Sequence, residues 1–366
     1  MLGAVAAPAF STQGAFAKGT TAARGKASAK NAKSTKKATK RTAKKPKRRP
    51  ARRATARKRV VLQKPVAAIK GNLPNVQSQG ALVVDLQTNQ EIFSRRPDGP
   101  RAIASISKLA AALVVSERHI PLDELTTMKK VDVEAARGGA PSRLPEGMTL
   151  SNRDLLHAAL LGSDNRAVSA LGRAVGLNTA EFTKAMNRKV AALGLRATHF
   201  REPTGLSPEN VSTPREVLAM LAAAMADPLL GPIVRKPEYD AHPVGRPPIH
   251  YNSTHRPAAR SNVHVLGGKT GYNDPARYCL VIAVRVDGHD YGMALLGTEG
   301  KLTRFGDVAR VADWLVAHRD KMAAAAAVAA TRAAAGEQGP PLPADMGATP
   351  DGAAPQPEEL ARHTTP

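Results

Sequence analysis

The chain has 366 residues, enough for one large domain or two, and a formal net charge of +24 from 54 lysines and arginines against 30 aspartates and glutamates. Nineteen of these bases lie in residues 18–59, which contain no acidic residue, so the rest of the chain is nearly balanced in charge. Aromatic residues make up only 3%, which argues against a stacking surface for nucleic-acid bases. The single cysteine excludes an internal disulfide. The sequence contains no run of 18 apolar residues, so no membrane span is predicted.

The first 17 residues resemble the end of an export signal. They are mildly apolar, and Ala15-Phe16-Ala17 fits the small-x-small pattern that precedes signal-peptidase cleavage. The charged segment that opens such a signal is missing. We therefore expect the true start to lie upstream and the protein to be exported to the periplasm; the alternative is a disordered cytoplasmic leader.

Residues 18–70 form a basic arm of low complexity, and its composition predicts disorder. Arms of this kind bind polyanions through counterion release. We expect a solvated spacer or a loose polyanion tether, for which an anionic wall polymer or membrane head groups suit an exported protein better than DNA. A second disordered segment, rich in alanine and proline, is predicted over residues 323–366.

Residues 71–322 carry the patterns of a folded domain, with strands predicted near both ends. Apolar residues around a short polar turn predict a β-hairpin over Ala81–Ser94. Later strands are predicted over Val263–Leu266, Tyr278–Val286 and His289–Gly297. The Asp287-Gly288 turn between the last two is a strong hairpin signal, and Cys279 is expected to be buried in the strand before it.

Helices are predicted between these strands and at the end of the domain. Apolar residues at helical spacing indicate them. The first predicted helix begins at Ser105, and the second covers residues 148–175 with an interruption at 163–165. The others cover Asn178–Leu193, Pro214–Met225 and Thr303–His318. Ser212 or Thr213 is the expected N-cap of the fourth, with Glu216 completing a capping box. Strands at both ends and helices between them predict an α+β fold, in which an antiparallel sheet is flanked by helices and a mostly helical lobe.

Three short motifs stand in order along this domain: Ser105-x-x-Lys108, Ser163-Asp164-Asn165 and Lys269-Thr270-Gly271. Each falls at a boundary of a predicted element, and together they are far more specific than any one of them. A further S-x-x-K pattern, at residues 34–37, is a chance occurrence in the basic arm. Because one helical turn separates Ser105 from Lys108, the amine can reach the serine hydroxyl and activate it as a nucleophile.

The second motif fits the proton transfers of such a reaction. We expect Ser163 to relay a proton to the departing nitrogen of an acyl-transfer substrate. We expect the Asn165 amide to hold the backbone amide of that substrate. Burial, and a second cation at Lys269, would lower the pKa of Lys108 and keep its amine neutral.

The third motif fits the binding of the substrate. Lys269 and the Thr270 hydroxyl suit a carboxylate beside the scissile bond, and Gly271 leaves room for a substrate along the strand edge. The backbone N–H groups of Ser105 and Tyr272 are predicted to form an oxyanion hole.

With these motifs the chain resembles the serine-type D-alanyl-D-alanine carboxypeptidase/endopeptidase family, the low-molecular-mass penicillin-binding proteins. The resemblance runs from about residue 81 to residue 319, and it includes Ala102–Leu109, Glu202–Ser207, Val211–Thr213 and Lys269–Tyr272. Gly300–Phe305 is closer to the soluble endopeptidase branch. The resemblance implies a DD-peptidase/serine β-lactamase-like fold, binding of β-lactams, and hydrolysis of D-alanyl to meso-diaminopimelyl cross-links of peptidoglycan through an acyl-enzyme on Ser105.

Other functions stay open at this point. The motifs do not separate an endopeptidase from a carboxypeptidase, and family members commonly have a glycine where Arg277 stands, near the leaving-group pocket. A class A β-lactamase has the same motifs; Glu202-Pro203 resembles the start of its Glu-x-x-Leu-Asn motif, but Gly205 and Leu206 break the pattern. A noncatalytic protein that binds cell wall or polyanions is the alternative from another class.

Two further expectations concern single residue types. No metal or other cofactor is expected, because the ten histidines form no H-x-x-x-H pair beside a glutamate. Arg304 is expected to be a solvated residue at the start of the last helix; the alternative is that it contributes to binding the substrate carboxylate.

Overall fold

The computed structural model describes residues 69–70, 73–255 and 262–319. The described helices are α1 (Lys108–Glu117), α2 (Lys130–Ala135), α3 (Asn152–Leu160), α4 (Asn165–Ala174), α5 (Thr179–Ala192), α6 (Pro214–Ala226), α7 (Leu230–Arg235) and α8 (Thr303–Ala317). The described strands are β1 (Ile69–Lys70), β2 (Leu73–Pro74), β3 (Gly80–Asp85), β4 (Glu91–Arg95), β5 (Arg101–Ala102), β6 (Leu125–Thr127), β7 (Thr149–Ser151), β8 (Val211–Ser212), β9 (Glu238–Ala241), β10 (Ile249–Asn252), β11 (Val263–Asn273), β12 (Arg277–Val286) and β13 (His289–Thr298).

The predicted export segment and the predicted C-terminal tail lie outside the described residues, and so does the basic arm up to residue 68. The last two residues of that arm are an exception, because Ile69–Lys70 pair with β2. The bounds predicted for the arm stay a prediction.

A central antiparallel sheet joins the two ends of the domain. Five of the described strands form it in the order β11-β12-β13-β3-β4. Strand β3 pairs with β13 through Asp85 opposite Tyr291 and Val83 opposite Met293, although these residues lie about 200 positions apart in the sequence. The predicted sheet of distant segments is confirmed, and the fold is α+β.

Alternate residues of the sheet serve two hydrophobic layers, because successive side chains of a strand point to opposite faces. Helix α8 covers one face, where Val311 and Leu315 belong to one cluster with Leu280, Ile282 and Met293. The other face packs against a larger helical layer that includes α1, α3, α4, α5 and α6. Every residue from Lys108 to Val115 is buried, as expected for a helix that is apolar all round.

The structure differs from the predicted elements in several places. Ser105 lies in a 3-10 helix, Ala104–Ser107, and α1 begins only at Lys108. Thr213 is the N-cap of α6 as predicted, but the Glu216 carboxylate accepts hydrogen bonds from Ala197 N and Thr198 Oγ1, so no capping box forms. The β9–β10 hairpin was missed, because glycine and prolines mask the strand pattern between its two strands.

Among the described helices, none combines the length and the apolar composition that crossing a bilayer requires.

Candidate active site

The predicted nucleophile lies on a short strained turn in front of α1. Ala104 has a φ of +49°, in the left-handed region that costs a non-glycine residue about 1–2 kcal/mol. Ser107 Oγ donates to the Ala104 carbonyl at 2.8 Å and holds the turn. The antiparallel pair β5–β8 anchors the chain just before it. Ser105 is therefore presented at the start of a buried helix by a turn fixed on both sides.

Lys108 is buried among three oxygen atoms of the site. Its side chain is 1% exposed, and among the described residues Nζ lies against three oxygens: Ser105 Oγ at 2.8 Å, Asn165 Oδ1 at 2.6 Å and the Thr204 carbonyl. The amide oxygen and the carbonyl can only accept. A neutral amine uses its two N–H groups on those acceptors, which leaves its lone pair for the Ser105 hydroxyl.

Burial shifts Lys108 toward that neutral form. Burial lowers the pKa of Lys108 to about 8, while the nearby carboxylates of Glu202 and Asp164 oppose the shift. Burial also lowers the pKa of Lys269 well below its usual value, and the neighbouring cations Lys108 and Arg304 add to that effect. The site therefore holds two lysines whose charge is weakly supported by their surroundings.

Ser163 faces Lys269 at the junction of α3 and α4. Lys269 Nζ donates to Ser163 Oγ at 2.8 Å and to the Thr270 carbonyl at 3.0 Å, and Lys269 is fully buried. Ser163 has a φ of +58°, a second strained residue at the site. Asp164 explains how the turn is held, because its carboxylate caps α4 through the N–H groups of Arg166 and Ala167.

Asn165 lies beside Lys108 and is 7% exposed. Its Oδ1 is occupied by Lys108, so its Nδ2 is the part of the amide that remains to donate to a substrate. A Cβ on Gly139 would lie 2.3 Å from this Nδ2. Glycine at that position therefore keeps room for the Asn165 amide.

Strand β11 forms the opposite wall, and it is an edge of the described sheet. A Cβ on Gly271 would lie 2.4 Å from the Ile103 carbonyl oxygen and 3.2 Å from Ser105 N, so only glycine permits the strand to approach the serine turn this closely. Thr270 Oγ1 donates to Thr254 Oγ1 at 2.8 Å. The lysine, hydroxyl and glycine of the third motif thus meet the first two motifs in one place.

The side chain of Tyr272 contacts two neighbouring residues. The side chain is 47% exposed, stacks on Tyr278 with ring centroids 4.2 Å apart, and donates its hydroxyl to Asp274 Oδ1 at 2.8 Å. The ring thus lies against the next strand, and the Tyr272 N–H follows Gly271 at the point where β11 passes Ser105.

Sequence reasoning missed the loop that follows Glu202. Five groups of the described residues donate to the Glu202 carboxylate: Thr204 N and Oγ1 at 2.6 Å, Gly205 N at 2.7 Å, and Ser207 N and Asn210 Nδ2 at 3.2 Å. The loop turns the Thr204 carbonyl toward Lys108. The Glu202–Ser207 block was noticed only as a family resemblance. The direction of a backbone carbonyl cannot be predicted from residue types, so its contact with Lys108 was missed.

Arg304 corrects a prediction. It is 5% exposed rather than solvated, and its Nη1 donates to the carbonyls of Gly271 at 3.2 Å and Cys279 at 3.3 Å. Burial lowers the pKa of its guanidinium from the ordinary value. Because α8 begins beneath β11, this arginine supports the strand that carries the third motif.

Arg277 occupies the first position of β12, where its φ is +59°. Its side chain is 49% exposed, and Nε lies 3.6 Å from Glu299 Oε2. A positive φ is the conformation that glycine adopts without strain. The glycine common at this position in the family therefore suits the backbone here, and the arginine adds a charge to the same turn.

In the part of the chain that the structure describes, His, Cys, Asp and Glu form no group of three or more that could hold a metal ion.

Comparison with known proteins places these motifs in a matched region. A family model described as D-alanyl-D-alanine carboxypeptidase matches residues 67–299. The chain is 36% identical over 284 residues to the D-alanyl-D-alanine endopeptidase of Escherichia coli (strain K12), which covers 75% of this chain and 90% of that protein. It is also 36% identical over 252 residues to the D-alanyl-D-alanine endopeptidase of Pseudomonas aeruginosa, with 67% and 80% covered. The crystal structure of the D-alanyl-D-alanine carboxypeptidase from Mycobacterium tuberculosis H37Rv matches with a TM-score of 0.59 at 26% identity, covering 70% of this chain and 96% of that one.

Proposed function

Because the chain belongs to the D-alanyl-D-alanine carboxypeptidase family, we propose that it is a serine DD-peptidase that cleaves peptidoglycan stem peptides through an acyl-enzyme on Ser105. The observation that carries this proposal is the buried Lys108 amine. Its N–H groups have two acceptors, and its Nζ lies 2.8 Å from Ser105 Oγ, so its lone pair is left for the serine hydroxyl. Such an amine is a base placed for the serine proton.

The reaction follows from these contacts. Ser105 Oγ forms a bond to the D-alanyl carbonyl carbon while its proton passes to Lys108, and the N–H groups of Ser105 and Tyr272 hold the oxyanion. The C–N bond then breaks, and the proton held by Lys108 passes through the Ser163 hydroxyl to the leaving nitrogen. Water then attacks the ester carbon and gives a proton to Lys108. The bond from Ser105 Oγ to the acyl carbon breaks, Lys108 returns that proton to Ser105 Oγ, and the D-alanyl carboxylate leaves.

The third motif fits the anionic side of this substrate. A D-alanyl-D-alanyl end and a D-alanyl to meso-diaminopimelyl cross-link both carry a carboxylate next to the scissile amide. Lys269 and the Thr270 hydroxyl lie on the strand edge that faces Ser105, and buried Arg304 adds positive potential behind them. A carboxylate bound there would in turn favour the protonated form of Lys269.

We propose the cross-link as the preferred substrate. Both endopeptidase relatives are 36% identical to the chain, whereas the carboxypeptidase of known structure is 26% identical. The test is digestion of cross-linked muropeptides and of pentapeptide monomers by the purified protein, with products identified by mass. Release of monomers from dimers supports an endopeptidase, release of free D-alanine a carboxypeptidase. If the wild-type protein cleaves neither substrate and so gives the same result as Ser105→Ala, the proposal is contradicted.

β-Lactams should acylate the same serine and stay bound. In a class A β-lactamase a glutamate activates the deacylating water, but here the Glu202 carboxylate is occupied by five donors of its own loop. A labelled-penicillin gel is expected to show a persistent adduct that Ser105→Ala removes. Rapid turnover of penicillin without an adduct would favour the β-lactamase alternative.

This function implies the periplasm as the compartment, where peptidoglycan lies. The export segment and the proposed polyanion-binding arm fall outside the described residues and stay predictions. Removal of residues 18–59 tests the arm: retained activity with weaker binding to anionic wall polymer would agree with a tether.

A further inference from the structure

The loop from Glu202 to Ser207 is organised by one half-buried carboxylate. Its Oε2 receives both donors of Thr204, and its Oε1 receives the N–H groups of Gly205 and Ser207 together with Asn210 Nδ2. Hydrogen bonds to a charged acceptor are about twice as strong as those between neutral groups. The conformation of this turn therefore depends on the negative charge of Glu202.

The turn contacts the catalytic residues at three points. The Thr204 carbonyl accepts from Lys108 Nζ. Gly205 has a φ of +88°, and a Cβ there would lie 2.2 Å from the Ala104 carbonyl oxygen and 2.6 Å from Ser105 N. Asn210, which is fully buried, extends the network through a 3.1 Å hydrogen bond from Nδ2 to Ser107 Oγ.

From these contacts we propose that Glu202 is a positioning residue for acylation: its carboxylate fixes the Thr204 carbonyl, which orients the Lys108 amine toward Ser105. The proposal rests on the proposed function, since it assigns Glu202 a part in that reaction. The Asn165 amide and the Thr204 carbonyl together consume both N–H groups of the neutral amine. If the turn shifts, the amine loses one of the two acceptors that aim its lone pair.

Three charged groups face Lys108 from the surrounding elements. Glu202 approaches from its loop and Asp164 from the N-terminus of α4, and both favour the protonated amine. Lys269 lies on β11, and the charge of Lys108 lowers the pKa of Lys269. Removing the charge of Glu202 therefore has two separable effects on acylation. Loss of orientation lowers the maximal rate, and loss of the negative charge lowers the pKa of Lys108, so that the amine becomes neutral at lower pH.

The test is the pH profile of acylation by a fluorescent penicillin, measured for the wild-type chain and for Glu202→Gln. The variant keeps the size of the side chain but places an NH2 group against backbone N–H donors. We expect a maximal rate lower by about 10²-fold, the order of loss that a misplacement of about 1 Å produces, and a midpoint shifted to lower pH. An unchanged rate and midpoint would overturn the proposal, and so would a lower rate with an unshifted midpoint.

Glu216→Gln is the matched control. Glu216 also binds a backbone N–H and a threonine hydroxyl, those of Ala197 and Thr198, but it has no described contact with the catalytic residues. It is expected to lose thermal stability without a change of midpoint; a midpoint shifted as in Glu202→Gln would also overturn the proposal.

If Glu202→Gln does not fold, Glu202→Asp replaces it. The shorter side chain keeps the charge but cannot reach both groups of donors, so the rate should fall while the midpoint stays at the wild-type value. A wild-type rate would overturn the proposal. A wild-type chain that penicillin does not acylate at all would instead contradict the proposed function, so the two failures are distinguishable.

Discussion

The lowered pKa of Lys108 predicts how acylation depends on pH. Only the neutral amine can take the proton of Ser105, so the rate should rise with pH through a midpoint near 8, the pKa that burial gives this lysine. About a tenth of the molecules then carry the neutral amine at pH 7, and about nine tenths at pH 9. With the ordinary pKa of 10.5, only about 3 in 10⁴ would be neutral at pH 7. Burial therefore increases the reactive fraction about 300-fold, which corresponds to about 3 kcal/mol.

Lys108→Arg removes the base and keeps the cation. A guanidinium donates hydrogen bonds but does not lose its proton in this pH range. We expect acylation to fall by about 10² to 10⁴, the usual contribution of general-base catalysis, with no rise toward high pH. Lys189→Arg, on α5 and paired with Glu117, is the matched control and should keep the wild-type profile.

The assay is the rate of adduct formation with excess fluorescent penicillin between about pH 6 and pH 10. A wild-type midpoint near 10.5 would show that burial does not shift the pKa of Lys108 as argued. A Lys108→Arg variant with the wild-type rate would show that another group takes the proton.

Further predictions concern stability and reactivity. Gly205→Ala should lower the free energy of unfolding by about 2 kcal/mol and abolish formation of the penicillin adduct. The control Gly147→Ala, at a φ of +81° with open space around it, should lower the free energy of unfolding by about 1 kcal/mol and leave adduct formation intact. Equal effects of the two variants in denaturation and gel assays would contradict the close approach of Gly205 to Ser105. Arg277→Gly should raise the unfolding free energy by about 0.5 to 1 kcal/mol in a denaturant titration, because it relieves a φ of +59°; a decrease would mean that the arginine side chain outweighs the strain. Cys279, fully buried with its pKa raised to about 11, should react with a thiol reagent at pH 8 only as fast as the domain unfolds, and rapid labelling of the native protein would refute its burial.

The part of the site that the sequence predicted consists of side chains with unusual chemistry. Ser105, Lys108, Ser163 and Lys269 meet in the structure because each lies in or beside an element whose apolar pattern was visible. The α+β sheet could be predicted for the same reason, since its strands and helices carry clear periodicities. The chemistry of a side chain and the periodicity of apolar residues can both be read from the residue types alone.

The rest depends on contacts that residue types do not record. The Thr204 carbonyl could not be predicted as a partner of Lys108, because every residue has such a group. Arg304 was expected in solvent, because a charged residue in the first turn of a helix is usually exposed; here that turn lies beneath β11. Glu202 was considered only as part of a family block and against a deacylation motif, since nothing in its neighbours shows that five donors converge on it.

The order of strands in the sheet also constrains how the domain is made. Strand β3 emerges early during synthesis, but one of its two neighbours, β13, ends only at Thr298. Until then β3 has only β4 as a partner, and an isolated two-stranded hairpin is marginal in water. Pairing across about 200 residues is slow compared with local folding. The sheet, and with it the wall of the site on β11, therefore assembles only when almost the whole domain has left the ribosome. A chain cut short before β13 would lose the central strand, which joins the β11-β12 pair to the β3-β4 pair.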